Sequence, residues 1–186
     1  MGTSNWQNIS YCVELLRQIS PSSVLDVGVG FGRWGMLCRE FLDVWSGRVF
    51  RKDWKVRVEG IEIFPKNIDR YHAYFYDKIH IADAFEFIPS SSPGEYDVII
   101  MGDVLEHFDK DKAVTLLNAS IARGKHVLLN IPIGSEWPQG TVYGNEFETH
   151  RSIWTTEELD AFPVKAKRHF KDYINRDFST YLFSSE

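Results

Sequence analysis

The chain has 186 residues, of which 44% are hydrophobic and 25% charged, with a formal net charge of −5. That length suits one domain burying roughly 70% of its unfolded surface around a single core, and the balance excludes a disordered chain. It also supplies no overall basic field, which argues against a long nucleic acid as partner and favours a small acceptor molecule.

Ile9, Val13, Leu16 and Ile19 recur at helical spacing until Ser20-Pro21-Ser22-Ser23 breaks the pattern, and Val24 to Val27 follows as a first strand. A glycine-rich turn leads into a helix predicted from Arg33 to Val44, with Met36, Leu37, Cys38 and Phe41 inward. Trp45 to Lys55 is a polar and aromatic connection, longer than usual between a helix and a strand. Val56 to Phe64 reads as the second strand, Pro65 opens a helix running to about Phe75, and Ile79 to Ala82 is the third strand.

Tyr96 to Met101 is an apolar run of the kind that lies buried on both faces at the centre of a parallel sheet. Asp109 stands where it can cap a helix in which Ala113, Val114, Leu117 and Ile121 share a face, with Gly124 ending it before a strand from His126 to Ile131. Ile133 to Ile153 has no periodicity, after which Thr155, Thr156, Glu157 and Glu158 start a short helix. Lys165 to Tyr173 and Phe178 to Ser184 alternate as an antiparallel pair. The sum is one α/β domain over residues 1–186. It is a doubly wound, Rossmann-like, seven-stranded sheet, mostly parallel with an antiparallel C-terminal hairpin, helices on both faces and its ligand at the strand carboxyl ends.

Cys12 and Cys38 are the only cysteines and show no CxxC or Cys/His spacing, so they read as reduced, buried hydrophobes of a cytoplasmic protein. No apolar run approaches bilayer length, and no membrane partner is expected. The pattern carries no signal for an oligomeric state.

The most informative stretch is Val24-Leu25-Asp26-Val27-Gly28-Val29-Gly30-Phe31-Gly32-Arg33-Trp34-Gly35, a strand that ends in glycines and runs into a helix. Glycine backbone can take positive φ and approach a ligand closely, while the helix start offers free N–H groups. Gly30-x-Gly32-x-x-Gly35 fits the dinucleotide fingerprint, yet Asp26 at the strand end would repel a pyrophosphate. S-adenosylmethionine, with an ammonium, a sulfonium and no phosphate, suits that turn better.

Four sites in this order resemble the class I S-adenosylmethionine-dependent methyltransferases, and the resemblance spans nearly the whole chain. The first is Asp26-x-Gly28-x-Gly30-x-Gly32, which in that family wraps the methionine end of the cofactor. The second is Gly60-Ile61-Glu62-Ile63, where the resemblance implies that Glu62 accepts from the ribose hydroxyls and Ile63 packs on the adenine. Ile81-Ala82-Asp83-Ala84 is the third; it implies that Asp83 and the Ala84 N–H read the adenine edge, although Asp83 also reads as a helix N-cap. The fourth, Tyr96 to Phe108 with its Asp103-Val104-Leu105-Glu106-His107 ending, resembles the small-molecule members, and Asp103 joins the expected cofactor residues.

Methyl transfer needs a positioned nucleophile and, for some acceptors, a base. His107 is the first choice of base, with Glu106 and His150 as its expected catalytic neighbours. Asp103, Glu106 and His107 also resemble the metal site of certain quinone-pathway and small-RNA 2′-O-methyltransferases, but similar strings occur in metal-free enzymes, and no metal is assigned. The segment from Asn145 to Trp154 is expected over the acceptor. The expected function is methylation of a small polar acceptor, most simply at an oxygen of a sugar, glycan precursor or quinone-like metabolite. The alternatives are a metal-assisted RNA 2′-O-methyltransferase and a non-catalytic subunit that keeps the cofactor, recognisable by an exposed patch at Trp45 to Trp54 without an acceptor pocket.

Overall fold

The computed structural model describes residues 5–184. Helix α1 (Ile9–Ile19) turns its Tyr11, Cys12, Val13, Leu15 and Leu16 inward and ends on Ser20 in the left-handed region. Strand β1 (Ser23–Val27) is buried at every position and delivers the chain to the glycine turn. Helix α2 (Arg33–Cys38) continues into a π turn over Arg39–Asp43 and a 3-10 turn over Val44–Ser46, so the expected Arg33 to Val44 helix is present but not regular.

The inward stripe of that helix is Trp34, Leu37, Cys38 and Leu42, while Met36 is 44% exposed and Phe41 only half-buried, correcting the expected face. The π turn has a visible cause. It swings Arg39 and Asp43 inside, where Asp43 accepts from Arg39, Arg48 and the Lys55 N–H and ties down the long connection that follows.

After β2 (Arg57–Glu62), the expected helix from Pro65 to Phe75 is not continuous. A 3-10 turn spans Pro65–Asn67, Ile68 is extended, and only α3 (His72–Phe75) is helical. The Asp69 N–H, which a helix would direct to a carbonyl four residues back, donates instead to His72 Nδ1. Strand β3 (Lys78–Ile81) is followed by α4 (Ala84–Ser90), whose first turn is capped by the Asp83 side chain accepting from the Phe85 N–H at 2.8 Å.

Strand β4 (Tyr96–Gly102) leads by a 3-10 turn at Leu105–His107 to α5 (Lys110–Arg123). Asp109 stands at the N-cap position but its side chain makes no cap bond, and it lines the cavity described below. Gly124 is extended and belongs to β5 (Gly124–Pro132) rather than to a left-handed helix stop. Helix α6 (Thr156–Asp160) carries a full capping box between Thr155 and Glu158, as the Thr/Glu pattern indicates. Strands β6 (Val164–Lys171) and β7 (Asp177–Ser184) form the closing antiparallel pair.

The seven strands form one sheet in the order β3-β2-β1-β4-β5-β7-β6, with β4 in the middle and β7 inserted antiparallel between β5 and β6. Alternate residues of β4 feed two cores: Ile99 and Met101 join the cluster under α4, α5 and α6, while Val98 and Ile100 join the one under α1 and α2. The order reverses between β1 and β4, so the crevice of a doubly wound sheet opens at their carboxyl ends.

Close approach on this edge requires glycine. A Cβ on Gly35 would fall within the Tyr76 ring, one on Gly60 within Val29, and one on Gly102 within the Trp34 indole. Gly35→Ala is expected to lower stability by about 1–3 kcal/mol through overpacking, whereas Gly140→Ala, with open space around it, should stay within about 0.5 kcal/mol in urea unfolding. Equal effects of the two substitutions would contradict this packing.

Candidate functional site

The carboxyl ends of β1, β2, β3, β4 and β5 enclose a cavity of about 660 Å³. Its floor is the turn after β1. Gly28, Gly30 and Gly32 all have positive φ, of 75°, 50° and 83°, so the turn reads as backbone rather than side chain from within the cavity. The Gly28 N–H donates to the Ile61 carbonyl at 2.9 Å and the Gly32 N–H to Val29 at 2.7 Å, which closes the loop onto β2 and onto itself.

Glu62, 4% exposed at the end of β2, receives the Gly30 N–H at 3.0 Å and the Phe64 N–H at 2.8 Å, one on each carboxylate oxygen. A carboxylate oxygen can accept twice, so Glu62 keeps capacity for two further donors. Ile63, Asp83, Ala84 and Asp103 line the same cavity. Asp83 spends Oδ1 on its helix cap, leaving Oδ2 open, so the capping and ligand-reading roles are compatible. Asp103 adopts φ 57°, uncommon for a residue with a side chain, and its N–H is held by the Asn130 carbonyl at 3.0 Å.

Asp26 is placed differently from the rest. It is fully buried beneath the turn and absent from the cavity wall, where direct contact with a cationic ligand was expected. One oxygen accepts from the Tyr76 hydroxyl at 2.5 Å, and the other has no partner among the described residues. Burial pushes its carboxyl up to about 8, against the opposing bond from Tyr76 and with help from the nearby Glu62 charge.

At the other end of the cavity, the 3-10 turn after β4 and the loop after β5 bring Glu106, His107 and His150 together, with one ligand-type atom of each within 4.8 Å of the others. Glu106 is 1% exposed, and neither carboxylate oxygen has a partner among the described residues. Burial, then the charge of Asp103, raises its pKa well above the carboxylate range. Its carbonyl receives the Arg151 and Ser152 N–H groups at 2.7 and 3.1 Å, which pins the acceptor-side loop to this turn.

The two imidazoles lie with ring centroids 5.0 Å apart. His107 Nδ1 donates to the Thr149 carbonyl at 3.3 Å and His150 Nδ1 to the Trp137 carbonyl at 2.6 Å, since a carbonyl can only accept. Both pKa values are lowered, chiefly by burial, and that of His107 further by His150. Loss of water thus favours the neutral form of each ring, the state needed of a base or a ligand.

Phe31, 62% exposed, and the buried Trp34 also line the cavity, as do Phe147, Trp137, Tyr173 and Arg176. Trp137 is fixed by its indole N–H to the Asp177 carbonyl and by the Arg176 guanidinium 3.7 Å over its ring. The sequence reading missed Trp137, Arg176, Tyr76 and His72. No spacing rule joins His72 to Gly30, 42 positions away, or Arg176 to a tryptophan on another loop. Trp45, Val49 and Phe50 are exposed and lie outside the cavity wall.

A family model described as a methyltransferase domain matches residues 7–162. No curated protein matches the sequence significantly. Among solved structures, WbdD, described as a bifunctional kinase-methyltransferase, is 19% identical with a TM-score of 0.64, and the match covers 96% of this chain but 40% of that one. A SAM-dependent methyltransferase from Archaeoglobus fulgidus is 15% identical with a TM-score of 0.62, covering 93% of each chain. The mitomycin 7-O-methyltransferase MmcR is 16% identical with a TM-score of 0.58, covering 95% of this chain and 55% of that one.

The buried Asp26 fixes the sign of a pH effect. Its folded pKa, about 8, lies above the ordinary 3.8, so the stability of the protonated acid is fully present below pH 4 and lost as pH rises toward 8. Asp26→Asn should flatten that decline in melting temperature between pH 5 and 8; an unchanged slope would mean that Asp26 is ionised in the folded protein.

Proposed function

The chain belongs to the methyltransferase domain family, and on that premise we propose that it moves the methyl of S-adenosylmethionine to an oxygen of a small polar acceptor. The observation that carries this reading is one cavity with a bare glycine turn and the acids Glu62 and Asp83 at one end, and the paired imidazoles of His107 and His150 at the other. Its volume, about 660 Å³, lies in the range of pockets for small ligands.

When bound, S-adenosylmethionine supplies a methyl carbon already activated by a sulfonium. Glu62 would accept from the ribose hydroxyls with its remaining lone pairs, and Asp83 Oδ2 with the Ala84 N–H would meet the adenine edge. Gly28, Gly30 and Gly32 let the methionine end lie on backbone, and Asp103 stands where that end meets the acceptor. Asp26 acts from beneath, by holding Tyr76 and through it the Gly35 N–H.

On the acceptor side His107 Nε2 would accept the proton of the acceptor hydroxyl, its ring held by the Thr149 carbonyl. His150, fixed by the Trp137 carbonyl, borders the acceptor with Phe147 and Trp137. The O-methyltransferase name of MmcR supports oxygen as the acceptor atom. A polyanionic acceptor such as RNA is disfavoured by the net charge of −5. A non-catalytic subunit is disfavoured because the cavity continues past the turn to His107 and His150. Among the described residues no helix is long and apolar enough to cross a membrane; a cytoplasmic setting is proposed from the two free cysteines.

A second reading is favoured by the two oxygens of Glu106, unpartnered among the described residues, beside the imidazoles of His107 and His150. This donor set fits a divalent cation, which Glu106, His107 and His150 would hold and which would lower the pKa of an acceptor hydroxyl.

Calorimetric titration with S-adenosylmethionine, S-adenosylhomocysteine and NAD tests the cofactor. The two adenosyl compounds should bind and NAD should not, with Glu62→Ala weakening binding at least tenfold; NAD binding alone would overturn the proposal. Once an acceptor turns over, His107→Ala should lower kcat about 10²–10⁴-fold while cofactor affinity stays within about threefold. Persistence of activity in EDTA supports the unassisted base; loss in EDTA and recovery with Mg²⁺ or Mn²⁺ supports the cation.

A further inference from the structure

His72 contributes no atom to the cavity wall, yet it is completely buried and reaches the cofactor turn from α3. Its Nε2 lies 3.0 Å from the Gly30 carbonyl oxygen. A carbonyl can only accept, so that nitrogen must carry the proton. Nδ1 lies against the Asp69 backbone, 2.9 Å from its nitrogen and 3.1 Å from its carbonyl oxygen, so both ring nitrogens are engaged.

Gly30 is thereby held from both sides. Its N–H donates to Glu62 at the end of β2, and its carbonyl accepts from His72, while the residue itself sits at φ 50°. The imidazole also sets the width of the turn, since a Cβ on Gly32 would meet His72 Cδ2 at 3.0 Å. Tyr71 stacks on His72 at 4.2 Å and Phe31 packs on Tyr71 at 5.5 Å, so the ring is locked between the turn and an aromatic wall of the cavity. Rigid backbone that already has the bound shape spares a ligand the entropy of ordering it.

We propose that His72 is a positioning residue for the cofactor: by donating to the Gly30 carbonyl it fixes the glycine turn on which the methionine end of S-adenosylmethionine rests. The inference relies on the cofactor assignment above. It explains why a buried polar ring stands in a segment that could have been an unbroken helix, for the same Nδ1 captures the Asp69 N–H.

Two substitutions separate the hydrogen bond from the packing. His72→Phe keeps a flat ring for Tyr71 and Gly32 but leaves the Gly30 carbonyl without its donor; His72→Gln places an amide N–H near the position of Nε2. Calorimetry with S-adenosylhomocysteine should give about a tenfold weaker dissociation constant for His72→Phe and at most about threefold for His72→Gln. In turnover, His72→Phe should raise KM for S-adenosylmethionine while kcat at saturation stays near wild type, a split that general destabilisation would not produce.

Amide hydrogen exchange on the ligand-free protein supplies a readout independent of any ligand. Gly30 and Gly32 should exchange several-fold faster in His72→Phe, with the amides of β1 unchanged, and near wild-type rates should return in His72→Gln. If wild type binds and His72→Phe binds equally well, or if both variants lose affinity alike, the positioning role is overturned. Should His72→Phe fail to fold, His72→Gln against His72→Leu decides by the same two readouts. Failure of the wild type itself to bind would instead overturn the cofactor assignment.

Discussion

The site exists because backbone around the turn after β1, in α2, β2 and β4, comes closer to its neighbours than any side chain would allow. Gly35 lies against Tyr76, Gly60 against Val29 and Gly102 against Trp34, each with no room for a Cβ. Those contacts hold the start of α2 against β4 and, through Tyr76, against β2, and the cavity opens at the carboxyl ends of the strands beside them. Gly28, Gly30 and Gly32 then add positive φ, which turns N–H and C=O groups toward Ile61, Glu62 and His72 instead of along a strand.

Burial sorts the ionisable groups at this edge into two kinds. Glu62 is buried yet receives a backbone donor on each oxygen at the β2 end. Asp26 and Glu106 are buried with oxygens left unpartnered, and both are pushed toward the neutral acid. His107 and His150 are driven the other way, toward neutral imidazole, by the same loss of water. The end of the cavity at Glu106, His107 and His150 is thus less charged than its sequence suggests.

Much of the fold was legible because it is written in short-range patterns. Apolar runs marked β1, β4 and β5, the Thr155/Glu158 pair marked α6, and glycines marked the turn. What stayed hidden depends on partners distant in sequence. The break of the Pro65 to Phe75 helix comes from His72 taking the Asp69 N–H, and the irregular end of α2 comes from Asp43 gathering Arg39, Arg48 and the Lys55 N–H. At the site, the acids and histidines expected at strand ends do line one cavity, except Asp26, whose carboxylate Tyr76 holds from a position 50 residues away. The chemistry of Asp26 suggested a ligand contact, but its place on the α2 face of β1 put it in the core.

The central claim is that one cavity holds the adenosyl group on Glu62 and Asp83 and presents its sulfur toward His107 and His150. A crystal structure of the complex with S-adenosylhomocysteine tests it most directly. The account predicts ribose hydroxyls on Glu62, adenine beside Asp83 and Ala84, and sulfur on the side of the two imidazoles. An adenosyl group bound away from Glu62, or a sulfur turned away from His107, would contradict it.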